Sequence, residues 1–204
     1  MRPHPWIVAL VGLVVGGAAA MPAMAAPPQA TYATASVDGI SGEWDLVGDF
    51  FSLMYRAGKT NKPVESRAYL RYDCTDGVMY VLVLMEPTSV GYIDPLAQTA
   101  WIAINDQNNK MVTENAGDDG IAADFQWIGQ GYDGNPQHVR GYEASFAIGQ
   151  GSYTIIFHVD VVDANGGQTS ASPGFPGTGP ALTIECPTVK TDNETWGRLK
   201  SLYR

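Results

Sequence analysis

The stretch "RAYLRYDCTDGVMYVLVLME", Arg67 to Glu86, decides how this chain folds. Its first seven residues alternate, with Ala68, Leu70 and Tyr72 projecting one way and Arg67, Tyr69 and Arg71 the other. Successive side chains leave opposite faces of a pleated strand, so a period of two marks a strand with one face buried. Thr75-Asp76-Gly77 follows, and an Asp-Gly step between two such runs is a hairpin signal. "VMYVLVLME" is then apolar on both faces, which suits a central strand.

Working outward, the same grammar repeats. "TAWIAIN" (Thr99 to Asn105) reads as a strand ended by the polar turn "DQNNK". "GYEASFAI" (Gly141 to Ile148) puts Tyr142, Ala144, Phe146 and Ile148 on one side, and "GSYTIIFHVDVV" (Gly151 to Val162) alternates after a Gly-Gln-Gly turn. "TSASPGFPGTGP" is a Pro/Gly-rich crossing loop, and "ALTIEC" is a last strand carrying Cys186. Short strands with turn signals between them and no intervening helical pattern give an all-β chain, an antiparallel β-sandwich. Two stretches are compatible with a helix. "DLVGDFFSLMYRAG" has Leu46, Phe50 and Leu53 at helical spacing but reads equally as loop and strand. "TDNETWGRLKSLYR" opens with a Thr191-x-x-Glu194 capping box, which favours a short C-terminal helix over a frayed end.

The 204 residues divide by composition. Residues 1–25 have the three-part pattern of a secretory signal: Arg2, an uncharged run from Trp6 to Ala20, then Ala23-Met24-Ala25. Residues 26–36 read as a linker, 37–188 as the sandwich domain and 189–204 as a tail. No second apolar run follows, so no membrane span is expected. A net charge of −9 repels phosphate backbones and anionic lipid, which argues against nucleic acid as a partner. Cys74 and Cys186 are the only cysteines. In an exported chain an even count favours one disulfide over two buried thiols. It would close a loop of about 112 residues, for which chain entropy gives roughly 4–5 kcal/mol at most.

"SVDGISGEWD" (Ser36 to Asp45) opens the folded part, and here a resemblance emerges. The Val-Asp-Gly, the short loop and the Glu-Trp-Asp resemble the start of family 9 carbohydrate-binding modules and of DOMON-type sandwiches. In order, "SRAYLRYDCTDGVMYVLVLMEP", "AWIAINDQNNK", "YEASFAI" and "IIFHVDVVDANGGQ" are similar to later strands and turns of that group. The resemblance spans about Val37 to Ser172 and implies a jelly-roll-like sandwich that binds a glycan. The two tryptophans that flank the sugar in such modules have no counterpart here. "IDPLAQT" stands at the first place and Ser170-Ala171-Ser172 at the second.

Other residues are therefore the candidates. Tyr92, Trp101, Trp127 and Tyr132 are aromatic faces for a glycan or protein contact, and "DFQWIGQGYDGNP" has the composition of an exposed binding loop. The competing reading folds Trp127 and Tyr132 back on the sheet edge. Trp44 reads as a plug at the end of the sandwich. Asp106, Asp118, Asp119 and Asp124 could hold calcium, which wants six to eight oxygens, or could simply solvate a turn. The resemblance also admits a haem carrier with His158 and one of Met54, Met79 and Met85 as axial ligands. No Ser-His-acid ordering, nucleophile elbow or phosphate loop is present. The expectation is a secreted, non-catalytic module that binds a glycan, with a matrix or adhesive domain binding protein as the alternative.

Overall fold

The computed structural model describes residues 29–115, 125–162 and 168–187. The expected leader, the first linker residues and the tail helix lie outside them. The strands in chain order are β1 (Thr31–Tyr32), β2 (Phe50–Arg56), β3 (Val64–Asp73), β4 (Val78–Met85), β5 (Gly91–Tyr92), β6 (Ala100–Ile104) and β7 (Lys110–Thr113), then β8 (Phe125–Ile128), β9 (His138–Val139), β10 (Gly141–Ala147), β11 (Gly151–Val161), β12 (Gln168–Ala171) and β13 (Ala181–Ile184). A 3₁₀ turn covers Ser41–Glu43.

One ladder runs β7-β6-β11-β12-β2-β3-β4-β10-β8. Its neighbours pair antiparallel, while β1 joins β3 in parallel. The halves meet where β12 pairs β2 at Ser170↔Arg56 and Ala171↔Tyr55. They fold face to face over one core. Leu70, Tyr72, Val81, Val83, Ala144 and Phe146 line it from one half, and Ile102, Ile104, Ile155, Phe157 and Val159 from the other. Phe51 and Phe157 meet edge to face with centroids 6.0 Å apart. The sandwich and the hairpin agree with the alternation. Gly77 supplies φ +69° at the Asp-Gly turn, and its N–H donates to Asp73 at 2.9 Å.

The segment left open between helix and strand is a turn followed by β2. Its inward residues, Phe51 and Met54, stand three apart because register shifts fall between Phe50 and Ser52 and between Met54 and Tyr55. Such an irregularity inserts an odd residue into a period of two and imitates helical spacing.

Each outer face is partly covered. Trp44 closes over Tyr69, Leu82 and Ile128, held by two polar clasps. Glu143 is fully buried and accepts from Trp44 Nε1 at 2.9 Å, the Gly39 N–H at 2.8 Å and the Asp38 N–H at 3.2 Å. Arg71 donates to Asp49 at 2.8 Å and to the carbonyls of Thr34 and Glu43, and lies 5.0 Å over the Trp44 ring. That is why the chain opens on Val-Asp-Gly and Glu-Trp-Asp: the acid of β10 needs those donors. On the other half, Phe175 of the Pro/Gly-rich loop covers Trp101, Ala103 and Ile156. Cys74 and Cys186 form the expected disulfide, Cα atoms 5.7 Å apart, tying the turn after β3 to the chain after β13.

Candidate functional site

At one corner, a short ladder carries more polar chemistry than packing requires. β5 pairs β9 through Gly91↔Val139 and Tyr92↔His138. Val139 is fully buried, so its neighbours His138 and Arg140 project outward by alternation. Residues directly opposite in an antiparallel pair share a face, which sets Tyr92 beside His138. The loop of residues 129–137 wraps this ladder. Its glycines Gly129, Gly131 and Gly134 take positive φ, and the Gly131 N–H donates to the His138 carbonyl at 2.9 Å.

The imidazole is fixed from both sides. His138 Nδ1 lies 2.7 Å from Asp133 Oδ2, and Nε2 lies 3.0 Å from Asn135 Nδ2. Asn135 Oδ1 already accepts the Gln137 N–H at 3.0 Å, so its amide nitrogen is the donor towards Nε2. That assigns the Nδ1–H tautomer, donating to Asp133. The hydrogen bond from His138 holds the Asp133 carboxyl below its usual range, helped by the Asn135 N–H. Beside it Tyr132 is 37% exposed, with the Arg140 guanidinium 3.8 Å over its ring. A part-exposed aromatic ring next in the chain to a fixed carboxylate and amide that keep spare lone pairs and an N–H is the chemistry that grips a sugar ring and its hydroxyls.

The four expected aromatic residues do not converge. Tyr92 and Tyr132 belong to this corner. Trp101 is a correction: it is only 6% exposed, stacked on His158 with centroids 4.6 Å apart and crossed by Lys110 and Phe175. Its position on β6 opposite His158 of β11 places it under the crossing loop. Trp127 turns inward onto Phe125 and Tyr142, as the competing reading had it. Of the calcium candidates, Asp106 is a turn acceptor for the Asn108 N–H at 2.7 Å, while Asp118, Asp119 and Asp124 lie outside the described residues. Among the described residues no cluster of three metal-ligating side chains occurs.

A family 9 carbohydrate-binding module from Caldicellulosiruptor kristjanssonii, solved in complex with glucose, is similar over 81% of this chain and 98% of that one, at 14% sequence identity and a TM-score of 0.44. No family model matches, and no curated protein does. The reading of function therefore rests on the residues of this chain.

The haem arrangement is not assembled. Met54, Met79 and Met85 face the core, whereas His158 stacks on Trp101 and Phe175 on the outer face of β11. Under that stack His158 is only 6% exposed. Burial, with Lys110 nearby, presses its pKa down to about 4. Asp160, 3.7 Å from it, is pushed up to about 6 by burial and then by Glu114 and Asp94.

The corner's polar members went unread in the sequence. The usable signal was the Asp-Gly-Asn-Pro turn ending in His-Val-Arg, two outward residues around one apolar residue. It points to this loop only once β5 is known to lie beside it.

Proposed function

We propose that this chain is an extracellular, non-catalytic module that binds a glycan at the corner of Tyr92, Tyr132 and His138. The observation that carries the reading is the corner itself. Part-exposed Tyr132 stands next in sequence to Asp133, which with Asn135 locks the His138 imidazole; the free lone pairs of that carboxylate and the second N–H of Asn135 are hydrogen-bonding groups already held in place. The order of motifs from Val37 to Ser172, which resembles glycan-binding sandwiches, favours the same ligand class. The leader-like residues 1–25 and the Cys74–Cys186 pairing support export to an oxidising compartment.

Affinity electrophoresis of the chain from residue 26 onward through gels containing a panel of neutral and acidic polysaccharides tests this. Retardation by at least one polymer is expected, with Tyr132→Ala weakening it about tenfold, the size of one lost stacking contact. Free migration through every gel would leave the adhesive, protein-binding alternative in its place, and retardation indifferent to Tyr132→Ala and His138→Ala would overturn the assignment of binding to this corner.

A further inference from the structure

We propose that this corner selects an acidic glycan, a hexuronic acid whose carboxylate is taken by Arg140; the proposal rests on the glycan-binding reading above. Four arginines are described, and three are matched to carboxylates. Arg56 pairs with Glu65 at 2.6 Å, Arg67 with Glu86 at 2.5 Å and Arg71 with Asp49 at 2.8 Å. Arg140 has no carboxylate partner among the described residues. Its guanidinium instead lies 3.8 Å over the Tyr132 ring, in a chain that carries 21 acids against 12 bases. The nearest acid of the loop, Asp133, is engaged: Oδ2 takes His138 and Oδ1 takes the Asn135 N–H at 3.1 Å.

The side chain is also held in place. A Cβ added at Gly129 would come within 3.0 Å of Arg140 Cγ, so the aliphatic stem lies along bare backbone. The head rests on an aromatic ring. A guanidinium so restrained presents its planar fork at little entropic cost, and that fork matches a carboxylate through two parallel N–H bonds. With Arg140 over one face of Tyr132, the rest of that part-exposed ring and Tyr92 are left to meet the sugar ring. The acidity of the rest of the molecule does not forbid this, since exposed charges beyond about 8 Å are screened at physiological salt.

The test uses the same electrophoresis with EDTA present, comparing polygalacturonate, alginate and heparosan with a methyl-esterified polygalacturonate and a neutral glucan. At least one of the three uronate polymers should retard the protein. Esterification or carboxyl reduction of that polymer should weaken binding at least tenfold, and raising the salt from 50 to 500 mM should weaken it further. Arg140→Gln should abolish the preference for the acid form, and Arg140→Lys, a point charge without the fork, should restore only part of it. Thermal unfolding of both variants within a few degrees of the parent keeps the comparison about binding. If a neutral polymer is retained but no uronate is, or if Arg140→Gln keeps the acid preference, the carboxylate assignment fails while the glycan-binding reading survives. Retention on nothing at all overturns both.

Discussion

Glu143 sits among apolar side chains with three N–H donors aimed at it. Burial raises its pKa, and the Trp44, Gly39 and Asp38 donors pull the other way. Glutamine has the same shape but turns one acceptor into a donor facing another donor. Glu143→Gln should therefore cost about 2 kcal/mol, the scale of a buried unsatisfied group, and shift the urea midpoint and the Trp44 fluorescence together. Asp160 is a different case, because nothing compensates its burial beside Glu114 and Asp94. Its folded pKa of about 6 lies above the usual carboxylate range, so the folded state binds the extra proton. Its contribution to stability is full below pH 4 and is lost as pH rises through 6. Asp160→Asn should match the parent near pH 4 and exceed it at pH 8 in denaturant titrations. His158 runs the other way: depressed from 6.5 to about 4, it withdraws stability as pH drops through that window.

Among the elements, the junction of β9 and β10 positions the corner against the core. Gly141 pairs with Leu84 of β4 and Ile128 of β8, and a Cβ there would stand 1.9 Å from the Val83 carbonyl oxygen. Backbone cannot yield as a flexible side chain does, so Gly141→Ala should cost more than about 3 kcal/mol or prevent folding. Gly134→Ala, at φ +91° with nothing within 4 Å, should cost only about 1 kcal/mol of backbone strain; paired thermal melts compare them. The central strands were legible because they obey one rule. In β3, β4, β10 and β11 the core-facing residues stand two apart, Ala68-Leu70-Tyr72, Met79-Val81-Val83-Met85, Tyr142-Ala144-Phe146 and Ile155-Phe157-Val159-Val161, although the covers on the outer face bury Tyr69, Leu82 and Glu143 as well. β2 was not, because its register shifts break the period. The corner was hidden for another reason. Tyr92 and His138 are neighbours only through a two-residue pairing, and no local pattern encodes which distant strand a short strand will join. Trp101 misled because a strand tryptophan between alternating residues looks exposed until a loop 74 residues later covers it, a distance beyond any periodicity.

For the whole molecule, the disulfide connects the two halves of the sandwich at a separation of 112 residues. Removing it frees the unfolded chain of its longest closure, so Cys74→Ser with Cys186→Ser should lower stability by about 2–4 kcal/mol. Urea titration with and without reductant checks this: the parent should respond to reductant and the double variant should not. The same bridge decides where mechanical tension would travel. Tyr32 of β1 touches the Glu185 carbonyl, so both flanks of the described chain leave from one pole. A pull on them follows the covalent path from Ala30 to Cys74, crosses the sulfurs, and exits at Pro187. Extension is then limited to roughly 45 residues, on the order of 150 Å. Tyr92, Tyr132, His138 and Arg140 all lie in the bypassed loop, so tension carried by the tethers places no direct load on the proposed binding corner.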